Sequence, residues 1–181
     1  DPSAPANCIV DPNPHGEQCA DAMPLGPGEG TVSGSTADAQ NNGSGSCAGD
    51  GPDRVYGFTL QDKTRVEFLM TGYDTVLHLR TQCDTASSQV MCNDDTQGTN
   101  AGLTGVLDPG TYYLWADSYG SGGAYELSYS FRTDPCADDE AVCPGTPVCQ
   151  PSTDWTSSEC VCPAGMVPFG STCVDNPCDP N

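Results

Sequence analysis

The sequence predicts an all-β protein: a two-sheet sandwich of about eight strands, followed by a small domain held by disulfides. Three observations lead there. Short runs rich in Val, Tyr, Phe, Leu and Thr alternate apolar with polar residues, the period of a half-buried strand. Turn formers (Gly, Asp, Asn, Ser) separate these runs at short intervals. Twelve cysteines, an even number, crowd toward the C-terminus.

Residues 1–18 carry Pro2, Pro5, Pro12 and Pro14 with no apolar periodicity, so an extended arm bearing Cys8 is expected there. Residues 19–134 form the sandwich, with strands near 31–36, 54–60, 64–70, 75–81, 88–92, 102–107, 111–117 and 123–131. In the second of these Tyr56, Phe58 and Leu60 share one face; in the third Val66, Phe68 and Met70 face inward while Arg65 and Glu67 face water. In the fourth, Leu77 and Leu79 oppose Val76, His78 and Arg80, which places His78 at the surface. No stretch has helical periodicity of useful length.

Charge narrows the partners. Twenty-five acidic residues against five basic ones give a net charge of −20. Phosphate recognition needs clustered Lys and Arg, so a nucleic-acid partner is not expected. No apolar run of about 18 residues occurs, so no membrane insertion is expected. Zinc fingers want Cys-x2-Cys or His-x3–5-His pairs, and neither is present; His15 and His78 lie far apart. The cysteines therefore read as disulfides in a secreted or cell-surface protein. Cys83 and Cys92 flank one inter-strand connection and are expected to pair, as are Cys19 and Cys47. Cys8 and Cys178 remain, to join each other, an absent part of the protein or a second copy. The latter would give self-association.

Five blocks then occur in order: Asp53-Arg54-Val55-Tyr56-Gly57-Phe58, Tyr73-Asp74-Thr75-Val76-Leu77, Cys92-Asn93-Asp94-Asp95, Leu107-Asp108-Pro109-Gly110-Thr111-Tyr112-Tyr113-Leu114-Trp115-Ala116-Asp117 and Gly123-Ala124-Tyr125-Glu126-Leu127. Over residues 19–133 this resembles the bacterial pre-peptidase C-terminal (PPC) domain. The resemblance implies a jelly-roll-type sandwich that accompanies secreted proteases and surface proteins and has no catalytic residues of its own. Further on, Cys136, Cys143, Cys149, Cys160, Cys162 and Cys173 are separated by six, five, ten, one and ten residues. That register resembles the epidermal-growth-factor-like (EGF-like) module, placed at 135–175. This second resemblance implies the pairs Cys136–Cys149, Cys143–Cys160 and Cys162–Cys173, where spacing alone allows many connectivities. Calcium-binding members carry an acidic stretch before the first cysteine; Phe131-Arg132-Thr133-Asp134-Pro135 departs from it. Residues 176–181 read as a tail or the start of another module, and the chain as a slice of a longer protein.

Two constellations are candidates for binding. Asp74, Asn93, Asp94, Asp95 and Asp117 sit at strand ends, where carboxylate and amide oxygens gather as Ca2+ requires; Asp and Asn also cap turns through their own backbone bonds. Tyr119 and Trp155 are the ligand-contacting aromatics, suited to a protein hot spot or sugar stacking. Nucleophilic chemistry has little support: no Gly-x-Ser-x-Gly elbow, no His-Glu-x-x-His and no phosphate-cradling loop occur. Asn42-Gly43-Ser44 is a formal glycosylation acceptor. The sequence thus predicts a non-enzymatic extracellular binding or spacer unit of a bacterial surface or secreted protein. It is expected to be stabilised by Ca2+ and to engage a protein or glycan. The alternatives are a subunit of an extracellular fibre and an accessory domain of a secreted hydrolase.

Overall fold

The computed structural model describes residues 16–137, 143, 147–170 and 172–176. Nine strands build the larger part: β1 (Met23–Pro24), β2 (Glu29–Ser35), β3 (Arg54–Leu60), β4 (Thr64–Thr71), β5 (Thr75–Arg80), β6 (Gln89–Asn93), β7 (Gly102–Leu107), β8 (Gly110–Ser118) and β9 (Ala124–Thr133). They form a five-stranded sheet A ordered β1-β3-β8-β5-β6 and a four-stranded sheet B ordered β2-β9-β4-β7. Only β5 and β6 are sequence neighbours within one sheet; every other step from β2 to β9 crosses between sheets. The architecture is the all-β sandwich that the alternation predicts. Eight strands fall where expected, with bounds shifted by a residue or two. The ninth, β1, is a two-residue parallel partner of β3 that has no periodicity to betray it.

Alternation decides which face of each strand turns inward. Tyr56, Phe58 and Leu60 of β3, Val66, Phe68 and Met70 of β4, Leu77 and Leu79 of β5, Leu114 of β8 and Leu127 of β9 meet in one core. Phe58 lies at its centre, 4.7 Å from the Phe131 ring and 5.7 Å from those of Phe68 and Tyr112. Offset aromatic pairs at such spacings add stability beyond their buried area. The Tyr56 and Tyr125 hydroxyls bond each other across the sheets at 2.7 Å, which satisfies both polar ends inside the core.

Strand β5 departs from the simple pattern, because all six of its residues are buried. Its second face is not solvent. Residues 16–22 and the connection 37–53 lie over the outside of sheet A, and Val55, Cys83 and Trp115 form a second small core beneath them. Two disulfides hold these coverings down: Cys19–Cys83 and Cys47–Cys92. The pairings Cys19–Cys47 and Cys83–Cys92 expected from proximity along the chain are therefore corrected. The register explains why: Cys92 stands opposite His78 on the outer face of sheet A, not opposite Cys83, so a bond across the β5–β6 turn has no geometry to close it.

The C-terminal segment contains two short hairpins, β10 (Val148–Pro151) with β11 (Ser158–Val161) and β12 (Met166–Phe169) with β13 (Thr172–Asp175). Its disulfides join Cys136 to Cys149, Cys143 to Cys160 and Cys162 to Cys173. These are the pairs that the second resemblance implies. The expectations for Cys8, Cys178 and His15 lie outside the described residues. Five disulfides place the folded chain in an oxidising compartment. Among the described residues no helix is long and apolar enough to cross a membrane.

Candidate functional site

The outer face of sheet A gathers polar side chains that alternation alone would send to water. His78 and Arg80 of β5 and Trp115 and Asp117 of β8 point outward, and Asp53 stands at the entrance to β3. All are buried, His78, Asp53 and Asp117 completely. The expectation of a surface His78 is thus corrected. The connection 37–53 seals it, and this connection lies close because it carries glycine where it touches the sheet. A Cβ on Gly43 would press on the Trp115 ring, and one on Gly49 (φ +102) would overlap the Asp117 carboxylate.

Hydrogen bonds fix that seal. Asp53 Oδ2 accepts from the backbone N–H of Asn42 and of Gly43, each at 2.7 Å. Arg80 donates to the carbonyls of Cys83 and Ser44 at 3.0 Å, and its guanidinium carbon lies 5.1 Å from the Trp115 ring centre. His78 stacks on the Trp115 ring, ring centres 5.7 Å apart, with Nε2 3.4 Å from Asp117 Oδ2. Asp53 Oδ1, both His78 nitrogens, Arg80 Nε, Trp115 Nε1 and Asp117 Oδ2 have no hydrogen-bond partner among the described residues. Burial pushes His78 down to about 3 and Asp117 up to about 8, with Asp53 raised to about 6. At neutral pH the imidazole is uncharged and Asp117 holds its proton. A sealed, neutral His–Asp pair has no route to a substrate.

The acidic constellation divides in two. Asp74, Asp94 and Asp95 line one depression at the end of sheet A together with Tyr119. Tyr119 is 59 % exposed, and its backbone N–H bonds the Asp74 carbonyl at 3.0 Å, so a turn of defined shape displays the ring. Asn93 and Asp117 do not join this rim. Asn93 Oδ1 is taken by the Thr96 hydroxyl and the Gly102 N–H, which brace the corner between β6 and β7. Asp117 alternates to the sealed face, where its Oδ1 accepts the Ser118 N–H. Of the five residues expected to gather around Ca2+, the structure therefore brings three together and holds Asn93 and Asp117 apart from them.

Trp155 lies at the tip of the β10–β11 hairpin with φ 58°, a left-handed conformation for a bulky residue. Asp154 builds the tip, its Oδ1 accepting from Ser152 Oγ, Thr156 N and Thr156 Oγ1. Trp155 is half-buried rather than freely exposed. Asn42 donates its side-chain N–H to the Glu17 carbonyl and carboxylate, so the glycosylation acceptor is engaged within the fold. Among the described residues, Cys19, Cys83 and Asp84 form a cluster of metal-type donors, but both sulfurs are consumed by their mutual bond. Sequence reasoning missed the Asp53–His78–Arg80–Trp115 cluster. The signal available was the run Gly43, Gly45, Gly49, Gly51 around Cys47, more glycine than a solvated loop needs.

No protein-family model and no curated protein matches the sequence. Among solved structures, the pre-peptidase C-terminal domain of a collagenase from Bacillus anthracis is similar over 65 % of this chain and 98 % of its own, with 20 % identity and a TM-score of 0.46. Aeromonas hydrophila PliG, a periplasmic lysozyme inhibitor of g-type lysozyme, is similar over 61 % of this chain and 96 % of its own, with 12 % identity and a TM-score of 0.46. The first belongs to the family that the five ordered sequence blocks resemble. At these scores neither likeness carries a functional argument.

Proposed function

We propose that this chain is a non-catalytic extracellular binding module of a secreted or cell-surface protein, made of a PPC-like sandwich (19–134) and an EGF-like module (135–175). One contrast carries the reading. The groups able to do acid–base chemistry, His78 with Asp53 and Asp117, are enclosed, while Asp74, Asp94 and Asp95 converge around an exposed tyrosine. Such a rim suits recognition rather than turnover. The partner is a protein or glycan that meets Tyr119. The donor chemistry also fits Ca2+: three carboxylates offer up to six oxygens of the roughly six to eight that the ion takes. Bound there, Ca2+ would tie the loop before β5 to the loop after β6.

Melting in millimolar CaCl2 and in excess EGTA tests the calcium part. The Tm is expected to drop by several degrees in EGTA, since a ligand bound only to the folded state stabilises by mass action. The double variant D94N/D95N should melt identically in both. Coincident wild-type curves would remove Ca2+ from the account. The binding part is read separately, on glycan and matrix-protein arrays, where enrichment should be lost in Tyr119→Ala. An array with no enrichment would contradict it.

A further inference from the structure

Each sheet edge of a sandwich presents unpaired backbone groups that invite another strand. Among the described residues three of the four edges are braced by neighbouring segments, β3 through main-chain bonds and β6 and β7 through side chains. Beside β3, Val55 N bonds the Gly16 carbonyl, Leu25 N bonds the Gly57 carbonyl and β1 pairs in parallel. Along β6 the connection 37–53 is tied by Cys47–Cys92 and by the Ser46–Gln89 hydrogen bonds. At β7, the Gly102 N–H donates to Asn93 and its carbonyl accepts from Thr96.

β2 differs. It pairs with β9 without a break from Glu29↔Ser130 to Ser35↔Ala124. Phe131 N bonds the Gly28 carbonyl and Thr36 N bonds the Gly123 carbonyl, so the even-numbered residues are the ones bonded to β9. The N–H and C=O of Glu29, Thr31 and Ser33 therefore point away from the sheet. Among the described residues only the Ser35 carbonyl, at the strand's end, is taken, by Arg54 Nε at 3.1 Å. The strand has none of the usual protections: no proline, no lysine, no bulge and no inward charge. Its inner positions are Gly30, Val32 and Gly34, and the Tyr129 and Tyr125 rings lie so close under the two glycines that a Cβ on either would collide. This holds the edge in place against β9.

We propose that β2 is a docking edge for an extended segment of a partner protein, which adds a strand to sheet B. Main-chain bonds to Thr31 and Ser33 would supply the affinity, as in other strand-addition modes. Charge selects the occupant. The outer row beside the edge contains Glu29 and, on β9, the exposed Glu126 opposite Ser33, and no cation. Arg54 is paired with Glu17 and Arg132 with Glu67. An incoming strand with Lys or Arg on its outer face is therefore favoured. A second copy is disfavoured, since each chain carries −20. This surface is separate from the acidic rim, so the proposal stands or falls independently of calcium and of Tyr119.

The test uses the whole chain and a blocked heptapeptide alternating lysine and valine, with amide hydrogen exchange and chemical shifts as readouts. Millimolar peptide should slow exchange at Thr31 and Ser33 by about tenfold or more. Ser33→Pro should abolish this with an unchanged Tm, because that N–H makes no bond to β9; Thr31→Pro serves as the second such variant. Glu29→Gln should weaken binding. Unprotected Thr31 and Ser33 amides at millimolar peptide would overturn the proposal, as would protection confined to the acidic rim. A dimer of the free chain that Ser33→Pro dissociates would assign the edge to a second copy and overturn it too.

Discussion

Replacing Cys47 and Cys92 together by serine is expected to lower the stability of the sandwich by about 4 kcal/mol. The bond spans a sequence separation of 45 residues, and the cost follows from the freedom its loss returns to the unfolded chain. A marginally stable domain has only about 5–15 kcal/mol in hand, so this is a large share. There is also a local consequence. The bond pins the connection 37–53 against β6, and through Gly43, Gly45 and Gly49 that connection covers Trp115, His78 and Asp117. In a Trp155→Phe background, the remaining Trp115 should become accessible to acrylamide before global unfolding. Urea unfolding of the double-serine variant checks the magnitude. A loss below about 1 kcal/mol would mean that the bond constrains little.

Arg80→Leu is expected to cost about 3–5 kcal/mol, the range for losing two hydrogen bonds from a charged donor to enclosed carbonyls. Arg80 ties the covering connection through the Ser44 carbonyl and is the cation that faces Asp53 and Asp117. Its removal leaves Asp53 and Asp117 with no facing cation as each ionises, so the loss should grow with pH. The parent protein already has a slope in that direction. His78, near 3 in the fold against 6.5 free, adds stability that is full above pH 6.5 and disappears as the pH falls toward 3. Asp117, near 8 against 3.8, and Asp53, near 6 against 3.8, act oppositely: their contribution is full below pH 3.8 and is lost as the pH rises.

From pH 6.5 to 8 Asp117 dominates the titration of these groups. The parent should therefore lose stability across that window, on the order of 2 kcal/mol for the proton that Asp117 releases on unfolding. Asp117→Asn should flatten the window, and Arg80→Leu should steepen it. Thermal melts at pH 5, 6.5 and 8.5 decide; a Tm that rises from 6.5 to 8.5 would contradict the burial of Asp117 as a protonated acid.

Where alternation governs, the sequence was easy to read. Val66, Phe68 and Met70 face the core as their spacing requires, and the ends of β3, β4 and β7 need little adjustment. The C-terminal pairs are those that the EGF-like resemblance implies; spacing alone left many connectivities open. Reading failed on the outside of sheet A. A period of two names the two faces of β5 but cannot say that both are covered, because the cover is a glycine-rich connection with no periodicity. For the same reason His78 looked like a surface residue, and Cys47 was assigned to its neighbour in sequence instead of to β6. β1 was invisible, since two residues held by main-chain bonds leave no side-chain pattern. The acidic rim was half legible. Tight turns gathered Asp74, Asp94 and Asp95, but strand alternation sent Asp117 to the other side and the corner claimed Asn93.

The claim on which the rest depends is that two long-range disulfides clamp the 16–22 segment and the 37–53 connection onto sheet A, closing its polar groups off from solvent. Non-reducing proteolysis with mass spectrometry of the linked peptides tests it most directly. Cross-linked pairs joining Cys19 to Cys83 and Cys47 to Cys92 are the predicted result. Linkage of Cys19 to Cys47 and of Cys83 to Cys92, or free thiols at these positions, would contradict it.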